Sequence, residues 1–434
     1  MDSTFDVLIR NGYVVAQEAV VDIAIDDGRI AAIRPEIAES GDTELDARGD
    51  LVSPGLVDAH VHLDMALSAT GDRRPRNNER RTDRIDAIER TAAYFAETDG
   101  EEIEARVRDV AGRAVTNGVL HLRTHAYVDS EVGTDIVERV AAVREAFDDR
   151  LDVEIVAFPQ GGIGRDEGSA DALRAALDAG ADLVGGLDPA TLNGDRTGTI
   201  ETWFDIATDG DADVDVHIHE RGDTGTDTLR ALAEATIDRG YEGRVTASHA
   251  YALADAATGL DGDSSGDDGG DRGGRGDRDD QLGDAMETFT AADLRFVTCY
   301  GSTPRGMPIR RVHDAGLVLA HGTDQVHDMW GAHGNLNAIE AMLVQSLKLD
   351  GYATNDGLAC LWRLITTEGA SLLGRAEDYG IEAGTPADLV VHDARSPQWA
   401  ILERNDPRYV LKNGNVVAAD GSLAGTRPSP SGRE

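Results

Sequence analysis

Eight short apolar runs, each separated from the next by an amphipathic stretch, constrain this chain more than any other feature. They read LVDAHVHLD, VLHLRTHAYV, VEIVAFPQ, DLVGGLD, VDVHIHE, RVTASHA, RFVTCY and LVLAHGTDQ. Intervening stretches such as EVGTDIVERVAAVREAF and TDTLRALAEATIDRG place apolar residues three to four apart, the period of a helix packed on one side. Strands alternating with helices need a parallel sheet covered by those helices. Eight such units over residues 55–380 predict an α/β chain with a (β/α)8 TIM-type barrel. A doubly wound open sheet is the rival. It is weakened because no glycine-rich phosphate loop follows the first run.

The two ends have a different texture. FDVLIRNGYVV and VVDIAIDDGRIAAI carry Asn-Gly and Asp-Asp-Gly as turn signals, and ADLVVHDA and YVLKNGNVVAA repeat the pattern near the C-terminus. Residues 1–54 and 381–419 are therefore expected to combine into a small β-sandwich domain beside the barrel. Residues 261–281 hold eight Asp, seven Gly and three Arg and nothing apolar, so a disordered insertion is expected there. The same holds for a flexible tail over 420–434.

Composition excludes several function classes. With 41% hydrophobic residues the chain can bury a core, despite a formal net charge of −40. That charge repels phosphate backbones and anionic headgroups, so neither a nucleic-acid nor a membrane partner is expected. No run approaches the ~18 apolar residues of a membrane helix. The start, MDSTFDVLIRNG, lacks an export pattern, which points to the cytoplasm. Cys299 and Cys360 offer no disulfide framework, and Lys348 and Lys412 are the only lysines. Acidity with lysine depletion resembles the proteome-wide habit of salt-loving archaea, which makes the charge a matter of hydration in brine. A homo-oligomer is compatible with all of this.

Metal-capable side chains cluster where the apolar runs end. His60 and His62 are one residue apart, so on a strand they share a face. The pair alone is equally well read as two satisfied histidines at a barrel mouth. His217 and Glu220 end the fifth run, His249 the sixth and Asp324 the eighth. Barrel active sites lie at the C-terminal ends of the strands, where such residues converge. Three His and one Asp leave an open coordination position for water. Two-metal barrel hydrolases commonly bridge their ions with a carboxylated lysine on the fourth strand. No lysine precedes Lys348, so one divalent ion is expected, Zn²⁺ or Fe²⁺.

The phrases SPGLVDAHVHLD, RTHAYVD, IVAFPQGGI, VDVHIHE, RVTASHA, HGTDQVHDMW and GIEAGTPADLVV resemble, in order, the amidohydrolase superfamily and within it the cytosine deaminase branch. The resemblance implies His60, His62, His217 and Asp324 as metal ligands, and Glu220 as a proton shuttle. It makes His249 the histidine that hydrogen-bonds the attacking water and the oxyanion-like centre, with Asp324 accepting that water's proton. Gln160 would read the amide edge of the ring, and Trp330 would cover it; the bland reading of Trp330 is loop packing. His125 would line the barrel without ligating. The implied activity is hydrolytic deamination of cytosine or a related amino-substituted nitrogen heterocycle. The alternatives are a sibling activity on a triazine, isoguanine or creatinine-like amidine, and a catalytically silent scaffold.

Three departures bear on substrate choice. Gln325 stands where the family has an Asp beside the ring, and His219 replaces an Asp between His217 and Glu220. The loop after the first run also carries Arg80, Arg81 and Arg84. An arginine facing the pocket would favour an anionic substrate. The preferred expectation is a solvated helix face on which they pair with Asp83 and Asp86. His321 and His327 are read as structural, and Cys299 as a buried inert thiol.

Overall fold

A computed structural model of the chain describes residues 4–69, 84–258, 275–299 and 306–425. All eight apolar runs are parallel strands of one sheet: β6 (Leu56–Val61), β7 (Val119–Tyr127), β8 (Asp152–Phe158), β9 (Leu183–Leu187), β10 (Asp213–His217), β11 (Val245–Ser248), β12 (Arg295–Cys299) and β13 (Leu319–Gly322). The sheet closes on itself just past β13. Asp324 N–H donates to the His60 carbonyl at 2.8 Å and His62 N–H to the Asp324 carbonyl at 3.0 Å.

Helices follow the strands, among them α1 (Arg84–Glu97), α2 (Gly100–Thr116), α3 (Asp135–Ala146), α4 (Ser169–Asp178), α5 (Arg196–Gly210) and α6 (Gly222–Arg239). The three-to-four spacing sets which face each one buries. In α3 it is Ile136, Val137, Val140 and Val143, and in α6 Leu229, Leu232 and Ala233. Gly240, at φ 67°, ends α6 with a left-handed turn. Gly186 in β9 admits the buried Trp203 of α5, whose ring atoms lie 2.2–2.6 Å from where a Cβ would stand. Among the described residues, no helix is long and apolar enough to cross a membrane.

The terminal segments form one further sheet of nine strands. It comprises β1 (Phe5–Val14), β2 (Ala19–Asp26), β3 (Arg29–Arg34), β4 (Gly41–Asp46), β5 (Leu51–Pro54), β14 (Leu389–Val391), β15 (Tyr409–Lys412), β16 (Asn415–Ala419) and β17 (Ser422–Leu423). Its core joins Ile9, Ile23 and Ile25 from one end of the chain with Leu389, Val391 and Leu411 from the other. Asp27-Gly28 and Asn413-Gly414, all at positive φ, make the tight turns between β2 and β3 and between β15 and β16.

Three expectations are corrected. Asn11-Gly12 is not a turn but a bulge inside β1, where the register with β2 shifts. It persists because Asn11 N–H donates to Asp22 at 3.0 Å, and because a Cβ at Gly12 would meet Val52 at 2.6 Å. Of the insertion expected over 261–281, residues 261–274 lie outside the described residues. From Arg275 the chain is helical to Ala291, a helix anchored by buried Ala285, Met286 and Phe289. Of the tail expected over 420–434, residues 426–434 lie outside the described residues, and Ser422–Leu423 instead form β17, paired to β16, with Leu423 packed against the core near Gly112.

Candidate active site

The closure of the barrel places Asp324 between two histidines. His60 Nε2 lies 3.6 Å and His62 Nε2 3.7 Å from Asp324 Oδ1, and His62 Nε2 lies 3.3 Å from His217 Nε2. Four donors at about 2.0–2.2 Å from one tetrahedral ion stand about 3.4 Å from each other, so these separations suit a single divalent cation. His60 Nε2 is buried without a hydrogen-bond partner, which an ion at this point would satisfy. Burial pushes the pKa values of His60, His217 and His249 well below the ordinary imidazole value, and neighbouring imidazoles add to the effect; His62 falls to about 3. The rings are therefore neutral at pH 7, the form that binds metal.

The ring of His60 is held from behind. Ser248 Oγ donates to Asp215 at 2.7 Å, which spends its only proton, and His60 Nδ1 lies 3.0 Å from that oxygen. His60 Nδ1, which also lies 2.9 Å from His125 Nε2, is thus engaged behind the site, and Nε2 is the nitrogen left to face the mouth. Asp215 is in turn held by the buried Arg123 at 3.0 Å, and Arg123 also binds Glu154. Asp58, in the DAH segment, accepts from His60 N–H at 3.2 Å and from the Thr323 hydroxyl at 2.6 Å. It ties the two sides of the closure together, and burial raises its pKa to about 6. Asp188, His249 and Asp324 adopt φ of 38°, 69° and 64°. Such backbones persist only where the surroundings over-determine them, which is common at functional sites.

Above the histidines is a cavity of about 270 Å³. Met65, Phe158, Leu187 and Trp330 form its apolar walls, and Gln160, His219, Tyr251, Gln325 and Arg84 its polar ones. Trp330 is fastened to α1 by a 2.8 Å hydrogen bond from Nε1 to Thr91. His249, stacked on His219 at 4.4 Å, faces the same space.

The structure thus brings His60, His62, His217, His249, Asp324, Gln160, Gln325 and Trp330 to one place. It does not bring Glu220 there. That carboxylate is turned between the loop after β9, where it accepts from Ala190 N–H at 2.8 Å and Thr191 N–H at 2.7 Å, and α6, where it accepts from the Thr228 hydroxyl. Arg84 corrects the solvated-face expectation, because it ion-pairs with Asp188 and lines the cavity. A fully buried carboxylate needs a cation, and α1 supplies one. Arg80, Arg81 and Asp83 lie outside the described residues. His125 sits behind His60, with its Nε2 2.9 Å from His60 Nδ1. His327 is a loop staple to the Ala332 carbonyl at 2.8 Å, His321 is buried with its pKa lowered to about 3, and Cys299 is buried.

Sequence reasoning passed over Asp188, Asp58, Ser248 and Tyr251. Asp188 and Ser248 stand at strand ends in GLDP and TASH, where the barrel rule already pointed.

Gly322 gives a direct check on this geometry. A Cβ there would lie 2.3 Å from His60 Cβ and 2.5 Å from its carbonyl oxygen. Gly322→Ala is expected to push His60 out of line and weaken Zn²⁺ binding by about 10–100-fold, measured by equilibrium dialysis. Unchanged affinity would mean that His60 is not a ligand.

A model of the amidohydrolase family matches residues 51–418. An N-isopropylammelide isopropyl amidohydrolase from a Pseudomonas species is 38% identical over 97% of this chain and 99% of its own length. A pterin deaminase from Rhizobium rhizogenes is 28% identical over 91% of this chain and 87% of its own. Among solved structures, N-isopropylammelide isopropylaminohydrolase from Burkholderia multivorans is 29% identical, with a TM-score of 0.83 over 96% of this chain and 99% of that one. A 5-methylcytosine deaminase from Klebsiella pneumoniae, at 24% identity, shares the fold with a TM-score of 0.81, covering 95% of this chain and 97% of that one.

Proposed function

The chain belongs to the amidohydrolase family, and from that membership we propose that it hydrolyses the exocyclic C–N bond of an oxo-bearing nitrogen heterocycle, an alkylamino-triazine of the N-isopropylammelide type. The observation that supports it is the meeting of His60, His62, His217 and Asp324 at the floor of a cavity whose wall carries the Gln160 amide. Those four residues would hold one divalent ion, Zn²⁺ or Fe²⁺, whose Lewis acidity lowers the pKa of water toward neutrality.

The residues of the chain account for the rest. Gln160 offers donor and acceptor together, as a lactam edge requires. Trp330, braced on Thr91, covers the ring and limits access of bulk water. Asp324 accepts the proton as water attacks the ring carbon. The C=N electron pair moves onto the adjacent ring nitrogen as the water oxygen adds, and neutral His249 hydrogen-bonds that incoming oxygen. The C–O bond forms; the ring nitrogen's pair then re-forms C=N as the exocyclic C–N bond breaks, the amine leaves with the proton that Asp324 received, and the hydroxyl left on the ring tautomerises to the lactam. Glu220 positions the loop after β9 against α6, because its Oε1 accepts from two amides of that loop and its Oε2 from the Thr228 hydroxyl of α6. Glu220→Gln separates the two roles: a positioning residue shifts KM with kcat largely kept, whereas a proton shuttle loses kcat.

Triazine is preferred to cytosine because the triazine-directed relative matches nearly the whole chain at 38% identity, and because Gln325 stands where the cytosine pattern has an acid. The test is amine release by the Zn²⁺- or Fe²⁺-loaded protein in molar KCl, chosen because a chain of net charge −40 repels itself at low salt. Isopropylamine from N-isopropylammelide is the expected product. Ammonia from cytosine with no isopropylamine would move the substrate to the pyrimidine, and neither product would overturn the reading.

A further inference from the structure

Among the described residues lining the cavity, Arg84 is the only lysine or arginine, and Asp324 the only carboxylate. Arg84 opens α1, and its side chain is 40% exposed, whereas its partner Asp188 is 0% exposed. Asp188 is pinned independently: its Oδ1 accepts from His219 N–H at 2.6 Å, and its Oδ2 lies 3.3 Å from His219 Nδ1. The carboxylate thus holds Nη1 of the guanidinium against the wall. A guanidinium has five N–H donors in a rigid fork, so an edge remains to face the cavity. Gln325, which also lines the cavity, is an amide, so the carboxylate on Arg84 is that of Asp188. Paired with Asp188, Arg84 leaves this part of the wall neutral overall, so what it offers an anion in a chain carrying −40 is oriented N–H donors rather than net charge.

We propose that Arg84 reads an ionised ring oxygen, making the enzyme selective for heterocycles whose imide or lactam N–H is acidic enough to be lost near neutral pH. This rests on the proposed hydrolysis of an oxo-bearing heterocycle and narrows its substrate class. Asp188 is a positioning residue, and Arg84 touches the substrate.

The test is calorimetric binding to the metal-loaded full chain, with cyanurate as the anionic probe and cytosine as the neutral one. Arg84→Gln weakens cyanurate about 10- to 100-fold, the range of a charge-assisted hydrogen bond, and changes cytosine less than about threefold. Arg84→Lys recovers part of the loss, since it restores charge without the fork. Wild-type affinity for cyanurate also falls as pH drops below the probe's own pKa. Equal weakening of both probes would reduce Arg84 to a structural role, and unchanged or absent cyanurate binding would overturn the proposal. Because binding is read without turnover, Arg84-dependent cyanurate binding in a protein that releases no amine would sink the proposed reaction and leave this inference standing. Amine release with Arg84-independent binding would do the reverse.

Discussion

Asp324→Asn lowers kcat for amine release by about 10²–10⁴-fold, the range of a lost general base, while the protein still folds. The carboxylate sits 3.6 and 3.7 Å from the two histidine nitrogens with which it would share an ion. An amide of the same size supplies neither the negative charge that offsets a divalent cation nor an acceptor for the proton of the attacking water. The fold is spared because the bonds that close the barrel use the Asp324 backbone. Its φ of 64° is one that Asn tolerates well. Steady-state kinetics, metal content and a melting curve on the same sample separate these effects. A variant that binds metal and turns over normally would remove Asp324 from the site, and one that merely unfolds would show that the side chain is structural.

The second large effect is on stability. Lys412, 3% exposed, places Nζ 2.7 Å from both Asp152 at the start of β8 and Asp388 beside β14. His121 and Arg375 reach the same Asp152 oxygen at 2.9 and 2.8 Å. The cluster clamps the barrel to the terminal sheet. Burial alone would raise the Asp152 pKa, but His121 and Lys412 outweigh it and hold the carboxyl well below the usual range. Lys412→Met leaves two acids facing each other without their shared cation, and removing one partner of a buried pair costs about 3–5 kcal/mol. A fall in Tm of roughly 5 °C or more at pH 7 is expected. The sign with pH follows from the depressed pKa. The stabilisation is complete above the unfolded value of about 3.9 and is lost as pH falls through the folded value. The gap between variant and wild type is therefore wide at neutral pH and narrows in acid. A gap that is absent at pH 7, or that widens in acid, would contradict the clamp.

Much of this molecule can be read from its residues, because binary pattern and strand-end chemistry are local signals. The eight strands follow from apolar runs that need helices on their outer face. His60, His62, His217 and Asp324 stand out because each lies where a run ends. What escapes the sequence is set by partners distant along the chain. Glu220 also ends a run, yet its direction is decided by two amide groups of the loop after β9, about 30 residues earlier. Arg84 has acidic neighbours in sequence, but its partner is Asp188, 104 residues away, whose burial demands a cation. Asn11-Gly12 has turn chemistry and becomes a bulge, because Asp22 and Val52 reward a continuous strand. Lys412 gives no local hint that it joins two layers of the fold.

The central claim is that one ion, held by His60, His62, His217 and Asp324, makes the site hydrolytic. Its most direct test is to strip the protein with a chelator and titrate Zn²⁺ back while following isopropylamine release from N-isopropylammelide in molar KCl. The account predicts no release from the stripped protein and a linear recovery that breaks at one equivalent of ion per chain. Release that survives stripping, or a break at two equivalents, would contradict it.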